Sequence, residues 1–198
     1  MKLKATVFAA GLMAMAGAAS AQDADECTNV GVEDFFDLEE AQVVDVYNCL
    51  EAKMAEGYAK EGDEVGSNFR DWTITATRAA VQGTHGGRLL LTYANDVAAE
   101  QYLAFAEEAE MPVGSVLAKE SISLSKKKMT ARPGPLFIMT KMEAGSIPET
   151  DDWLYGGLQP NGKPMKFKQA FCHDCHSGWA EQDNLAYPVE DVRISSGG

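Results

Sequence analysis

Between Leu38 and Gly57 the apolar residues recur at helical spacing, with Val43, Tyr47, Leu50 and Met54 on one stripe, which predicts an amphipathic helix. Asp37 and Glu40 give it a capping-box-like start and Gly57 its stop. A polar loop from Lys60 to Asn68 follows. The period then changes: Trp72, Ile74 and Ala76 alternate with Thr73, Thr75 and Thr77, the pattern of a half-buried strand. A turn at Thr84-His85-Gly86-Gly87, where His85 is expected to be exposed, leads into Arg88 to Tyr93, an apolar run short enough to be a buried strand. Asn95 caps a second helix, through about Ala109, with Val97, Leu103 and Phe105 among its apolar residues. Strands are predicted again over Ser115 to Ser125 and Pro135 to Met142, separated by a basic turn at Lys126, Lys127 and Lys128. Trp153 to Tyr155 adds a short edge, and Gly156 to Lys168, rich in Gly, Pro and Lys, reads as an irregular loop before a helical turn.

This order argues for an α+β fold, an antiparallel β-sheet with packed helices, and against a four-helix bundle. Alternation along the Ser115 to Ser125 strand puts Lys119 with Ser115, Leu117, Ser121 and Ser123, while Val116, Ala118, Ile122 and Leu124 line the other face. Glu120 falls on that apolar face, where an unpaired carboxylate is costly, so Arg88 or Lys141 on a neighbouring strand is its expected partner.

The ends of the chain change the setting. Lys2 and Lys4 precede an uncharged run from Ala5 to Ala18 and then Ala19-Ser20-Ala21, the pattern of a secretory signal peptide over residues 1–21. Its apolar core is short for a membrane span of about 20 residues, so stable membrane insertion is not expected. Residues 22–198 read as a single domain, exported to the periplasm. Without Lys2 and Lys4, 15 basic residues face 30 acidic ones, which excludes nucleic acid and anionic membranes as natural partners. In an exported chain Cys27 and Cys49 are expected to pair as a disulfide staple.

The remaining cysteines carry the chemistry. Cys172-His173-Asp174-Cys175-His176 matches C-x-x-C-H, the attachment signature of haem c. Two thiols at this spacing can add to the two vinyl groups of one haem while the adjacent His176 reaches the iron. A zinc site lacks a second ligand pair nearby in sequence, and a thioredoxin-like dithiol lacks its βαβ setting. His173 is expected to point to solvent, and Trp153 and Phe171 to pack in the core or on the haem. No methionine follows His176, so a His/Met electron carrier would have to recruit Met139, Met142 or another upstream methionine. The motif completes the fold as a C-terminal haem-binding segment.

A C-terminal haem motif behind a β-rich domain, with the stretches Arg88 to Asn95 (RLLLTYAN), Met111 to Glu120 (MPVGSVLAKE) and Ile138 to Lys141 (IMTK), resembles the cytochrome P-460 family over about Trp72 to Ser177. The related cytochromes c′-beta share that fold. The resemblance implies one covalent haem c, a homodimer, and an iron whose open face meets a small nitrogenous ligand such as hydroxylamine or nitric oxide, with a soluble redox partner. In cytochromes P-460 a lysine bonds the porphyrin and the protein oxidises hydroxylamine; in the c′-beta relatives the bond is missing and nitric oxide binds. Lys119 matches that lysine. Its serine-lined face has three readings: room for a cross-linked porphyrin, a noncovalent place beside the haem, or a wet surface.

Overall fold

The computed structural model describes residues 34–82 and 85–194, so the expected export segment and Cys27 lie outside the described residues. The predicted first helix is α1 (Glu40–Ala59), and it buries Val43, Val46, Leu50, Met54 and Tyr58 along one stripe. Its start is fixed two residues beyond the expected pair: the Glu39 backbone N–H donates to Gln42 Oε1 at 2.9 Å. Gly57 does not end the helix. It sits inside the last turn because the Pro160 carbonyl oxygen packs where a Cβ would project. The expected polar loop contains a short helix, α2 (Glu64–Asn68), capped by Asp63, whose Oδ1 accepts from the Gly66 N–H at 2.8 Å.

The strands are β1 (Thr73–Ile74), β2 (Ala80–Gln82), β3 (Arg88–Ala94), β4 (Val116–Ser125), β5 (Thr130–Pro133), β6 (Leu136–Lys141) and β7 (Trp153–Leu158). They form one antiparallel sheet ordered β1-β3-β4-β6-β7, with β2 also on β3 and β5 also on β4. The fold is therefore α+β. Between β3 and β4, helix α3 (Asp96–Leu103) is capped by Asn95, whose Oδ1 accepts from the Ala98 N–H at 3.0 Å. It stops well before Ala109, because Phe105 is left-handed at φ 45° and turns its ring against Tyr102 and Tyr187. The last helix, α4 (Gln169–His176), carries the cysteine motif. No helix among the described residues is long and apolar enough to cross a membrane.

β3 and β4 are covered on both sides: β3 reads as a nearly continuous apolar run, and β4 is buried from Leu117 to Ile122 although Lys119, Glu120 and Ser121 lie within that stretch. On one face α1 packs against Leu89, Leu91, Tyr93, Ala118 and Ile122. On the other, Ala94, Leu117, Met139, Trp153 and Tyr155 form a second cluster with α3 and Leu185. Cys49, on α1, is disulfide-bonded.

Glu120 is 1% exposed on the α1 side, and its partner is not a neighbouring strand. Arg70, from the turn after α2, donates Nη2 to Glu120 Oε1, and Tyr47 of α1 donates to Oε2 at 2.7 Å. The expected partners are engaged elsewhere: Arg88 donates to Ser123 Oγ and Lys141 to Asp183. Helix and turn residues reach Glu120 because the sheet's first face is closed by those elements. Burial still outweighs Arg70 and raises the Glu120 pKa above its ordinary value. A raised carboxylate pKa favours the folded state least where the group must ionise, so stability falls as pH rises from about 4.5 through the raised value. Arg70→Met strands that carboxylate and is expected to lose about 3 kcal/mol at pH 7, and clearly less at pH 4, in urea unfolding at the two pH values. Equal losses at both would remove Glu120 from the account.

Candidate functional site

Helix α4 delivers the motif to the second face of the sheet. Cys172, Cys175 and His176 stand at i, i+3 and i+4, so they share one side of the helix. All three line a cavity of about 440 Å³, together with Thr92 of β3, Leu117 and Lys119 of β4, Phe137 and Met139 of β6, and Tyr155 of β7. Both thiols are free; Cys175 is exposed, and partial burial pushes the Cys172 thiol up.

His176, 7% exposed, is oriented by the segment that follows it. Its Nδ1 lies 2.8 Å from the Asn184 carbonyl oxygen, which can only accept, so Nδ1 carries the proton and the Nε2 lone pair is left for a ligand. Asp183 and Asn184 are both left-handed, at φ 53° and 63°, a conformation that Asp and Asn tolerate better than other side chains. Asp183 anchors this corner: it accepts from Lys141 Nζ at 2.6 Å, Met111 N–H at 2.8 Å and Trp153 Nε1 at 3.1 Å. Asn184 Nδ2 adds a bond to Asp151 Oδ2 at 3.1 Å. Burial, with Lys119 nearby, pushes the His176 pKa down to about 4, so the ring is neutral at neutral pH.

Lys119 is not on a wet face. It is 8% exposed, and its Nζ has one hydrogen bond, to the Ala186 carbonyl oxygen at 3.4 Å, with no carboxylate partner among the described residues. Burial lowers its pKa to about 8. A buried ammonium with one long bond is poorly satisfied by the protein alone, and it borders the same cavity as the thiols.

His85 also lines the cavity, contrary to the expectation of exposure. Its ring packs on Phe137 with centroids 4.6 Å apart, and burial and then Lys119 push its pKa down to about 3. His173 turns inward as well, its Nδ1 3.4 Å from the Tyr155 hydroxyl, because Tyr155 and Asp151 flank that side of α4. Phe171 is 77% exposed at the cavity edge and belongs to no core, whereas Trp153 is fully buried. Met139 lines the cavity. The residues that sequence reasoning missed are Asp183, Asn184, Phe137 and Tyr155. The only trace of the first two was an Asp-Asn pair, a turn signal, shortly after the motif.

The donor set suits a porphyrin. Among the described residues no three His, Cys, Asp or Glu side chains converge as a cage for a bare metal ion. A porphyrin brings its own nitrogens and asks the protein for axial imidazole, apolar walls and a cation near its carboxylates. His176 Nε2, the Leu117, Phe137 and Met139 walls, and Lys119 supply those parts.

Comparison with curated proteins finds no match. The family model described as Cytochrome P460 matches residues 66–186, a span running from α2 through the Asp183–Asn184 corner. The chain therefore belongs to the cytochrome P460 family, which implies a haem cofactor of the c-type.

Proposed function

We propose that the chain binds one haem c, covalently through Cys172 and Cys175 with His176 as axial ligand, and that it oxidises hydroxylamine or a related small nitrogen compound on the other side of the iron. The observation that carries this reading is the convergence of both thiols, the free side of His176 and the weakly satisfied Lys119 on one cavity. The bound haem supplies the redox chemistry. The chain's residues do the rest. The thiols anchor the group, and the i, i+4 spacing from Cys172 keeps the His176 imidazole at high effective concentration. The Asn184 carbonyl holds that imidazole in one tautomer and makes it more basic.

Lys119 is the residue positioned to make the porphyrin bond of the hydroxylamine-oxidising branch. With a pKa near 8, a substantial fraction of its amine is neutral at mildly alkaline pH; forming the bond would replace one N–H and one porphyrin C–H, and the two electrons released would go to an added oxidant such as a peroxide. Electrons from the substrate pass to a soluble redox partner. The reading places the mature chain in the periplasm.

One observation favours the nitric oxide-binding alternative. Apart from Lys119, Arg88 and two neutral histidines, the cavity is lined mainly by apolar and aromatic side chains, and no carboxylate lines it among the described residues. A diatomic ligand needs no base, whereas hydroxylamine oxidation must release protons.

Intact mass and the ferrous optical spectrum of protein matured by a c-type haem assembly system separate the two. The catalytic reading expects a mass lowered by the hydrogens lost to a lysine bond and a strongly red-shifted Soret band, both abolished in Lys119→Met, with hydroxylamine turnover in the unsubstituted protein. An ordinary c-type spectrum that Lys119→Met leaves unchanged favours the nitric oxide binder instead. Attachment is tested separately. Replacing Cys172 and Cys175 together by serine is expected to make the haem extractable into acidified organic solvent, and haem that stays in the protein would refute the thioether assignment. His176→Ala is expected to change the haem spectrum through loss of the axial imidazole; an unaltered spectrum removes His176 from that role.

A further inference from the structure

The loop that runs into the haem motif carries charge of the opposite sign to the chain. From Trp153 to His173 there is no Asp or Glu, but there are three lysines, Lys163, Lys166 and Lys168, in a chain whose acidic residues outnumber its basic ones. All three are exposed, and none of their ammonium groups has an ion pair or hydrogen bond among the described residues. Their neighbours explain the direction. Met165 lies over Gly157 of β7, its sulfur 3.0 Å from where a Cβ would project, and Phe167 packs against the second core cluster, so the lysines around them are left to solvent. Lys168 also stands at the N-cap of α4, where the helix dipole disfavours a cation, and no acidic residue occupies the first turn. Helix stability gives no reason for a charge of this sign at that place.

The strip adjoins the place where the motif reaches the surface. Phe171, in the first turn of α4, is 77% exposed at the cavity edge, and Cys175, one turn further along the same side of the helix, is exposed too. With a haem in the cavity, a thioether at Cys175 brings one edge of the group to this surface, which makes it a short way out for an electron. Beyond the motif the sign of charge reverses. The Ala109 N–H donates to the Glu181 carbonyl oxygen at 3.0 Å, which ties the exposed Glu107, Glu108 and Glu110 to the turn that follows α4. A bare aromatic ring between a cationic strip and an acidic loop fixes how a partner lies on it: the ring supplies contact, and the charges supply orientation.

We propose that the face formed by Phe171 and the Lys163, Lys166 and Lys168 strip is where the electron-accepting protein docks, and that this partner presents an acidic surface around its own redox centre. This rests on the reading that a haem attached at Cys172 and Cys175 passes electrons to a soluble partner. It adds to that reading the side of the molecule on which transfer occurs and the charge of the partner. The acidity of the whole chain opposes such a partner at a distance, but that field is screened beyond about 8 Å at physiological salt, so the charges in contact decide the docked complex.

The test uses holoprotein whose haem content is fixed first by intact mass and the pyridine haemochrome. It is reduced with dithionite in the absence of air and mixed in a stopped-flow instrument with cupric plastocyanin, an acidic blue-copper protein. One electron passes from the ferrous haem to the copper, which becomes cuprous, so the outcome does not depend on hydroxylamine turnover. At low ionic strength Lys163→Glu, Lys166→Glu and Lys168→Glu together are expected to slow the second-order rate by about tenfold or more, and the difference should vanish near about 1 M salt. Lys126→Glu, Lys127→Glu and Lys128→Glu on the β4–β5 turn change the net charge equally and should slow it far less. Phe171→Ser should slow it at every ionic strength, because an apolar contact is not screened. Equal slowing by the two triple variants, or none by either, overturns the docking site while the haem reading stands. So does an unsubstituted dimer that Phe171→Ser dissociates in analytical ultracentrifugation, because a second copy would then cover the face. Protein that matures with no attached haem overturns this proposal together with the reading it rests on.

Discussion

Two adjacent residues of β4 place opposite charges on opposite faces of a buried sheet, and most of the architecture follows from how each is met. Successive strand positions point apart, so Lys119 and Glu120 cannot satisfy each other across the backbone. Glu120 is met by Arg70 and Tyr47, which ties the turn after α2 and the register of α1 to the centre of the sheet. Tyr93, one strand over, extends the cluster through its hydroxyl, 2.9 Å from that of Tyr47. Lys119 is met by one distant carbonyl. The first face thus meets its buried charge with a guanidinium and a hydroxyl, whereas the second leaves its buried charge with one long bond beside a cavity.

The second face is assembled from the far end of the chain. The motif supplies three side chains on one side of a helix, but it does not aim the imidazole. That task falls to the Asp183–Asn184 corner, whose left-handed backbone turns a carbonyl toward His176. The corner is held in turn by Lys141 from β6, Trp153 from β7 and Met111 from the loop before β4. Orientation of His176 therefore depends on the sheet edge being formed. Removing the Asp183 carboxylate would leave Lys141 without its counter-charge and also free the segment that fixes the His176 tautomer.

Much of this was legible in the sequence. The α1 stripe, the apolar run of β3, the β4 strand and the Asn95 cap are local patterns, and each appears within a few residues of where the sequence put it. β2 and β5, three and four residues long, carry too little pattern to be seen. The α3 end was overrun because Phe105 is apolar at helical spacing, yet tertiary packing against Tyr187 draws it into a left-handed conformation. Partners across the sheet were less legible than elements. Glu120 was correctly seen as needing a cation, but local strand pairing suggested Arg88 or Lys141, whereas the layer above the strand supplied Arg70. The family likeness was carried by the motif and by stretches on β3, on β4 with the loop before it, and on β6, all of which contribute residues to the cavity.

The polarity of that cavity bears on what it can admit. The chain as a whole is strongly acidic, yet the groups lining the cavity are a buried lysine, an arginine, two imidazoles kept neutral by desolvation, and apolar or aromatic side chains. In the proposed reading, a cationic substrate would be attracted by the surface and then rejected by Lys119 and Arg88 at the site, while an anion would be disfavoured before it arrived. Hydroxylamine near neutral pH and nitric oxide are both small and uncharged, so neither field opposes them. Selection then rests on size and on affinity for iron rather than on charge.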